Sequence, residues 1–276
     1  MEIIEQRDEW QKRYTEWQRH GAAAVNGDVG ESYPFVTNRR APFTPSRRAL
    51  SMLNLALISS AGAYLDGTQP FNIADAEGDL SFREIPIEVG PDDLKFAARG
   101  YDPVIVESDL NTQLPLQRLF EFAANRIIGD LSPVFWSFSG FIPNASRLVD
   151  EMVPLLQERV RRYDVQAALL IPASRLCHQS VSLIARALEH SGLPTMTLAV
   201  AQDVVEAVRP PRAACYKGDL GSVAGKANWP EHQRRVLDEA LRLIEPMDQP
   251  AIRQLTVPLR ARLKYSVASA KCFEPR

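Results

Sequence analysis

Ala167-Ala168-Leu169-Leu170-Ile171-Pro172-Ala173-Ser174-Arg175-Leu176-Cys177-His178-Gln179-Ser180 is an apolar run closed by a proline, then a polar turn that opens an amphipathic segment. The pattern predicts strand, turn and helix. An uninterrupted apolar run suits a parallel strand covered on both faces, and Pro172 ends it because proline has no N–H for a ladder. Ser174 can cap the helix by accepting from a free first-turn N–H. Ser174, Cys177, His178 and Gln179 are therefore expected where open α/β sheets bind ligands, at the carboxyl end of a strand and the amino end of a helix.

Outward from this stretch, apolar strands alternate with helices. Leu53 to Tyr64 reads as a first strand ending in the small residues Ser59, Ser60, Ala61 and Gly62, a second candidate site loop. Short strands are expected at Leu80–Ile87, Leu94–Ala98, Val134–Phe138 and Pro194–Ala201, with polar loop at Tyr101-Asp102 and Asp109–Asn111. Helices are expected over Leu116–Ile128, from Asn144 to about Tyr163, from Cys177 to His190, from Asp203 to Val208, and from Trp229 to about Ile244. The implied fold is a three-layer α/β/α architecture with a mainly parallel sheet, with room for two Rossmann-like lobes divided near 139–145.

Both ends differ from this body. Residues 1–32 read as a helix and linker, with Ile3, Trp10, Tyr14 and Trp17 forming a stripe that must pack on its own chain or on a second copy, so a homo-oligomer is one expectation. The three prolines of 33–48 dictate an extended arm, whose Arg39, Arg40, Arg47 and Arg48 could hold a carboxylate or phosphate or simply be solvated. Residues 251–276 read as a basic tail.

Composition narrows the function. The 276 residues are 45% apolar, enough for a large core, and carry a net charge of −2, which gives no electrostatic reason to expect nucleic acid or an anionic membrane. No run approaches the roughly 20 apolar residues that cross a bilayer, and Met1 to Arg13 lacks a signal peptide's apolar stretch, so the expected location is cytoplasmic. Cys177, Cys215 and Cys272 are odd in number and widely spaced, as reduced thiols are, and no metal-ligand spacing or cofactor motif is evident.

The turn itself offers several reactions. Near a helix amino terminus Cys177 would be favoured as thiolate, making it a nucleophile or redox thiol, although a first-turn Cys can equally be core. Ser174 lacks the glycine-flanked setting of a hydrolase nucleophile and can equally be a plain cap, while His178 and Gln179 could orient a ligand.

The run Leu169–Ser180 also resembles the active turn of the selenoprotein B component of glycine, sarcosine and betaine reductases and of the related D-proline reductase subunit. Pro42–Pro45, Leu57–Leu65, Gly78–Pro86, Gly129–Pro133 and Arg209–Ala213 are similar to family segments in family order, so the resemblance spans roughly residues 40–245. In that family a selenocysteine, or a cysteine in its place, acts on a substrate activated by a pyruvoyl-containing partner subunit, and a cysteine three residues on resolves the adduct. The resemblance maps these positions onto Ser174 and Cys177. A serine forms no disulfide or selenenylsulfide and carries no electrons, so that redox pair is lost here.

The resemblance implies a divergent reductase-family enzyme working on a small amino-acid-like or amine substrate. Its catalytic candidates are Cys177, Ser174 and His178, with Gln179, Ser180, Arg83, Ser60 and Gly62 placing the substrate. The other expectation is a non-catalytic homologue that binds a small molecule or a reductase-complex subunit.

Overall fold

A computed structural model describes residues 2–19, 29–30 and 32–257. In chain order the elements are α1 (Arg7–Arg19), β1 (Asn54–Ser59), β2 (Ala63–Leu65), β3 (Phe82–Pro86), β4 (Leu94–Phe96), α2 (Pro103–Ser108), α3 (Leu116–Ala124), β5 (Asp130–Leu131), β6 (Val134–Phe138), α4 (Ala145–Arg147), α5 (Val153–Arg162), β7 (Ala167–Ile171), α6 (Arg175–His190), β8 (Thr195–Ala199), α7 (Gln202–Val208), β9 (Arg212–Cys215), α8 (Pro230–Leu241) and β10 (Ala251–Gln254). The principal sheet has the order β10-β9-β8-β7-β1-β6-β3, and β5 also pairs with β1. Its ladders are parallel except where β3 runs against β6.

Alternation along the central strands explains the layers. In β1, Ala56 and Ile58 join one apolar cluster with α5 and α6, while Leu55 and Leu57 join a second with α3 and α8. Strand β7 divides in the same way, Ala168 and Leu170 against Leu169 and Ile171. The sheet is thus covered on both faces, as the uninterrupted apolar runs require. Asp130 pairs with Asn54 and Trp136 with Ile58, so β5 and β6 occupy one strand position broken at Ser132-Pro133, where proline offers no donor.

The chain moves from β1 to β6 on one side, returns past β1 to β7, and continues outward through β8, β9 and β10. The direction reverses between β1 and β7. Strands on either side of 139–145 therefore share one sheet. Doubly wound sheets leave a crevice at such a reversal, and the turn after β7 opens there.

Helix α6 is the most enclosed helix. From Leu176 to Glu189 every residue is buried, including several polar ones. The Arg186 guanidinium donates to the carbonyls of Ile3, Arg40, Arg209 and Glu2, which ties the amino-terminal segment, the arm and the end of α7 to one side chain. Glu189 accepts from Arg212 Nη1 at 2.6 Å, Thr195 N at 2.9 Å and Thr44 N at 2.7 Å, and both members of the Arg212–Glu189 pair are fully buried.

The Trp10 and Tyr14 rings of α1 stack at 5.1 Å inside the core, and Trp10 Nε1 donates to the Pro34 carbonyl at 2.7 Å. The aromatic stripe is thus spent on its own chain. Three local features differ from the sequence reading. Residues 103–108, left unassigned between two polar loops by the sequence reading, form α2, capped by Asp102 with proline in its first turn. The long helix after Asn144 contains a π turn at Leu148–Met152, immediately ahead of Pro154, which cannot donate the next helical bond. Residues 251–254, expected to begin a basic tail, form the edge strand β10. The remainder of that tail, 258–276, and linker residues 20–28 and 31 lie outside the described residues.

Removing one partner of a buried ion pair leaves an uncompensated charge. Glu189→Ala is expected to cost about 3–5 kcal/mol in urea unfolding by that argument; a loss below 1 kcal/mol would show that Arg212 finds other partners.

Candidate functional site

Strands β1 and β7 end side by side, Ser59 opposite Ile171. Ser60 then joins the two following loops. Its N–H donates to the Ile171 carbonyl at 3.1 Å, and its Oγ accepts from Ala173 N at 2.9 Å. Ser174 is extended and caps α6: its Oγ accepts from Cys177 N at 3.3 Å and donates to Cys177 Sγ at 3.0 Å. The Sγ lies 3.9 Å from the Ser60 carbonyl oxygen.

Ala61, Ala173 and Cys177 form a small apolar cluster with Phe96 and Tyr101 against it. The Tyr101 hydroxyl donates to the Ala61 carbonyl at 2.6 Å, and burial, helped by the nearby Cys177, pushes this phenol well above its ordinary range. Gly140 completes the wall. A Cβ there would lie 2.4 Å from Ser60 Cβ and 2.6 Å from Cys177 Sγ, so only glycine fits this approach. On the outer side, Gly221 N donates to the Ala173 carbonyl at 2.8 Å. Gln113, with its amide oriented to suit its neighbours, donates to the Pro172 carbonyl and accepts from Ser222 N and Val223 N.

The other residues singled out in the turn are bound into the fold. His178 Nε2 accepts from Val200 N at 3.0 Å and Ala201 N at 3.2 Å, which assigns the ring proton to Nδ1, donating to the Ser174 carbonyl at 2.7 Å. Both ring nitrogens are engaged, and burial lowers the imidazole pKa to about 4. Gln179 accepts from Val36 N at 2.8 Å and donates to Tyr33 Oη at 2.7 Å. Ser180 Oγ donates to the Gly140 carbonyl at 2.8 Å. Gly62 has φ +68°, and a Cβ on it would sit 2.5 Å from the Ala97 carbonyl oxygen.

Arg83 lies on edge strand β3. It donates to Ser81, Phe82 and Gln69, beside a cleft of about 640 Å³ lined by Asp79 and Glu84 among others. None of its hydrogen-bond partners belongs to the turn. The structure thus brings together Ser60, Ser174 and Cys177, with Gly62 and Ser180 bracing the surrounding loops. Tyr101, Gln113, Gly140 and Gly221 escaped the sequence reading as site residues, since nothing local marks them.

Chemically, the turn offers one thiol beside one hydroxyl donor at the start of a 16-residue helix. Cys215 belongs to a separate apolar cluster, where burial pushes its thiol up to about 12. Among the described residues, no group of three or more His, Cys, Asp and Glu side chains could hold a metal, and no helix is long and apolar enough to cross a membrane.

Comparison with known proteins points to one group. Over 200 residues, 72% of this chain, the sequence is 30% identical to D-proline reductase subunit gamma of Acetoanaerobium sticklandii, covering 81% of that protein. It is 24% identical over 176 residues to glycine reductase complex component B subunit gamma of Symbiobacterium thermophilum, covering 59% of this chain and 38% of that larger protein. No family model and no solved structure matches the chain.

The His178 geometry sets a pH dependence. An imidazole titrating near 6.5 when unfolded and near 4 when folded contributes stability that is complete above pH 6.5 and is lost as the pH falls towards 4. Urea midpoints measured from pH 8 to pH 4.5 should decline below pH 6.5, by an amount equivalent to at most roughly 3 kcal/mol. NMR should show the His178 ring neutral at pH 5.5; a charged ring there would contradict the bonding described.

Proposed function

The chain belongs to the family of the D-proline reductase and glycine reductase gamma subunits, and from that premise we propose that it is a divergent, non-selenium member acting on a small amino-acid-like or amine substrate at turn 172–180. The reading rests on one observation. Ser174, onto which the resemblance maps the family's selenocysteine, has a hydroxyl that donates to Cys177 Sγ at 3.0 Å. The two side chains stand within hydrogen-bonding distance while the first of them has no redox chemistry. In this proposal Cys177 is the lone thiol, acting as nucleophile or as acid and base, and the Ser174 hydroxyl holds its sulfur in place. Ser60 and Gly140 fix where Sγ stands. His178, which the sequence offered as catalytic, is a positioning residue that holds the Ser174 carbonyl and the end of β8 in place.

A partner subunit remains part of the proposal, because both relatives are named as subunits. Ser174 and Cys177 are buried in this chain alone, so a pyruvoyl-bearing partner of the kind the resemblance implies would reach them only after the loops at Ala61 and Gly140 move. One observation favours a second reading, a non-catalytic homologue that binds a small molecule or a partner through the same turn. The polar side chains of His178, Gln179 and Ser180 are already engaged within the fold.

The two readings separate experimentally. Under the first, iodoacetamide at pH 7 alkylates Cys177 in native protein well ahead of Cys215, as read by peptide mass spectrometry; an inert Cys177 would favour the second. Under the second, any thermal stabilisation by D-proline or glycine survives Cys177→Ser. Ser174→Cys tests the geometry directly, and oxidation of that variant should join residues 174 and 177. Failure to form the bond would remove the claim that one substitution separates this turn from a redox pair.

A further inference from the structure

The arginines of the extended arm have a destination that the turn does not use. Arg39 and Arg40 meet Arg209, from the loop after α7, around a cleft of about 690 Å³ that also takes in Ala41, Glu206, Pro210, Pro250, Ala251 and Ile252. The cleft opens where β9 and β10 begin. The turn carrying Cys177 follows the carboxyl end of β7.

The cleft is firmly built. Asn38 N and Nδ2 donate to the carbonyls of Ala207 and Val208, and Arg186 Nη1 joins the carbonyls of Arg40 and Arg209 from behind, so the two arginine-bearing segments are clamped together. Arg209 itself sits at φ +57°, a left-handed conformation that a non-glycine residue adopts at a cost and that clusters at functional sites. Its Nη1 donates to the Arg39 carbonyl at 3.0 Å. None of the three arginines forms an ion pair among the described residues, whereas Arg186 and Arg212 each do. Glu206, the cleft's one carboxylate, accepts instead from Gln202 at 2.6 Å.

The remaining wall is apolar, with one backbone feature. In the β10–β9 ladder Ala251 and Arg253 turn their N–H and C=O groups towards β9, so those of Ile252 face away from it, along the outer edge of the sheet. Three arginines around an apolar floor form the kind of pocket that takes a small molecule with an acidic group and an apolar body. The segment 258–276 is an unsuited occupant, because it carries Arg260, Arg262, Lys264, Lys271 and Arg276 against a single acid, Glu274. We infer that this cleft binds a small organic anion, its carboxylate or phosphate held by Arg39, Arg40 and Arg209 and its apolar part resting on Pro210, Pro250 and Ile252.

The test uses the full chain in calorimetric titrations with AMP, indole-3-acetate, inorganic phosphate and uncharged adenosine. AMP or indole-3-acetate should bind, and which of the two binds more tightly distinguishes phosphate from carboxylate. Adenosine should not bind. Arg209→Gly relieves the left-handed strain while removing the charge, so it should fold as well as the parent and weaken anion binding at least tenfold; Arg40→Gln should do likewise. Arg47→Gln, on the far part of the arm, and Cys177→Ser should leave the affinity unchanged, which keeps this outcome separate from that of the turn. The inference is overturned if neither organic anion binds, if inorganic phosphate binds as tightly as both, or if Arg47→Gln weakens binding as much as Arg209→Gly.

Discussion

A helix buried along nearly its whole length must satisfy most of its polar side chains without water, and α6 does so, Ser182 Oγ excepted, by reaching into several other parts of the molecule. Its capping serine fixes the turn after β7, His178 holds the end of β8, and Gln179 holds the arm at Val36. Arg186 gathers four carbonyls, and Glu189 closes on Arg212 at the start of β9. Each of these groups would be costly to bury alone. Together they make the central helix a frame to which strands, arm and amino terminus are attached, and the candidate site is the amino-terminal end of that frame.

This explains the narrow chemistry at the turn. A side chain whose donors and acceptors are committed to the backbone is a poor choice for moving protons, and His178 is the clearest case. What remains is sulfur and a single hydroxyl, placed by Ser60 and Gly140 to within hydrogen-bonding distance. The rigidity is useful in its own right, because a thiol held in one orientation needs little reorganisation to react.

Much of the architecture was legible because its signals are local. Five successive apolar residues before Pro172 could only be a strand covered twice, and Ser174 could be read as a cap from its place ahead of an amphipathic run. The helix at 103–108 was equally legible from Asp102-Pro103, but its short length hid it among polar residues. Strand β10 was not legible: Ala251–Gln254 holds two polar residues in four, and it is a strand only because β9 offers an open edge. The site divided in the same way. Ser174 and Cys177 announced themselves by position, whereas Gly140 and Tyr101 matter through approaches between distant segments. The hydrogen bonds of His178 and Gln179 are illegible for the same reason, since the partners that engage them, at 200, 201, 33 and 36, are far away along the chain.

The cluster of carbonyls around Arg186 also bears on how the chain reaches this state. Its acceptors belong to residues 2, 3, 40 and 209, so segments more than 200 positions apart along the chain meet at one charge. Closing loops of that length is entropically expensive and slows folding. The amino-terminal segment and the residue that ends α7 share that one side chain, so their docking is coupled through it.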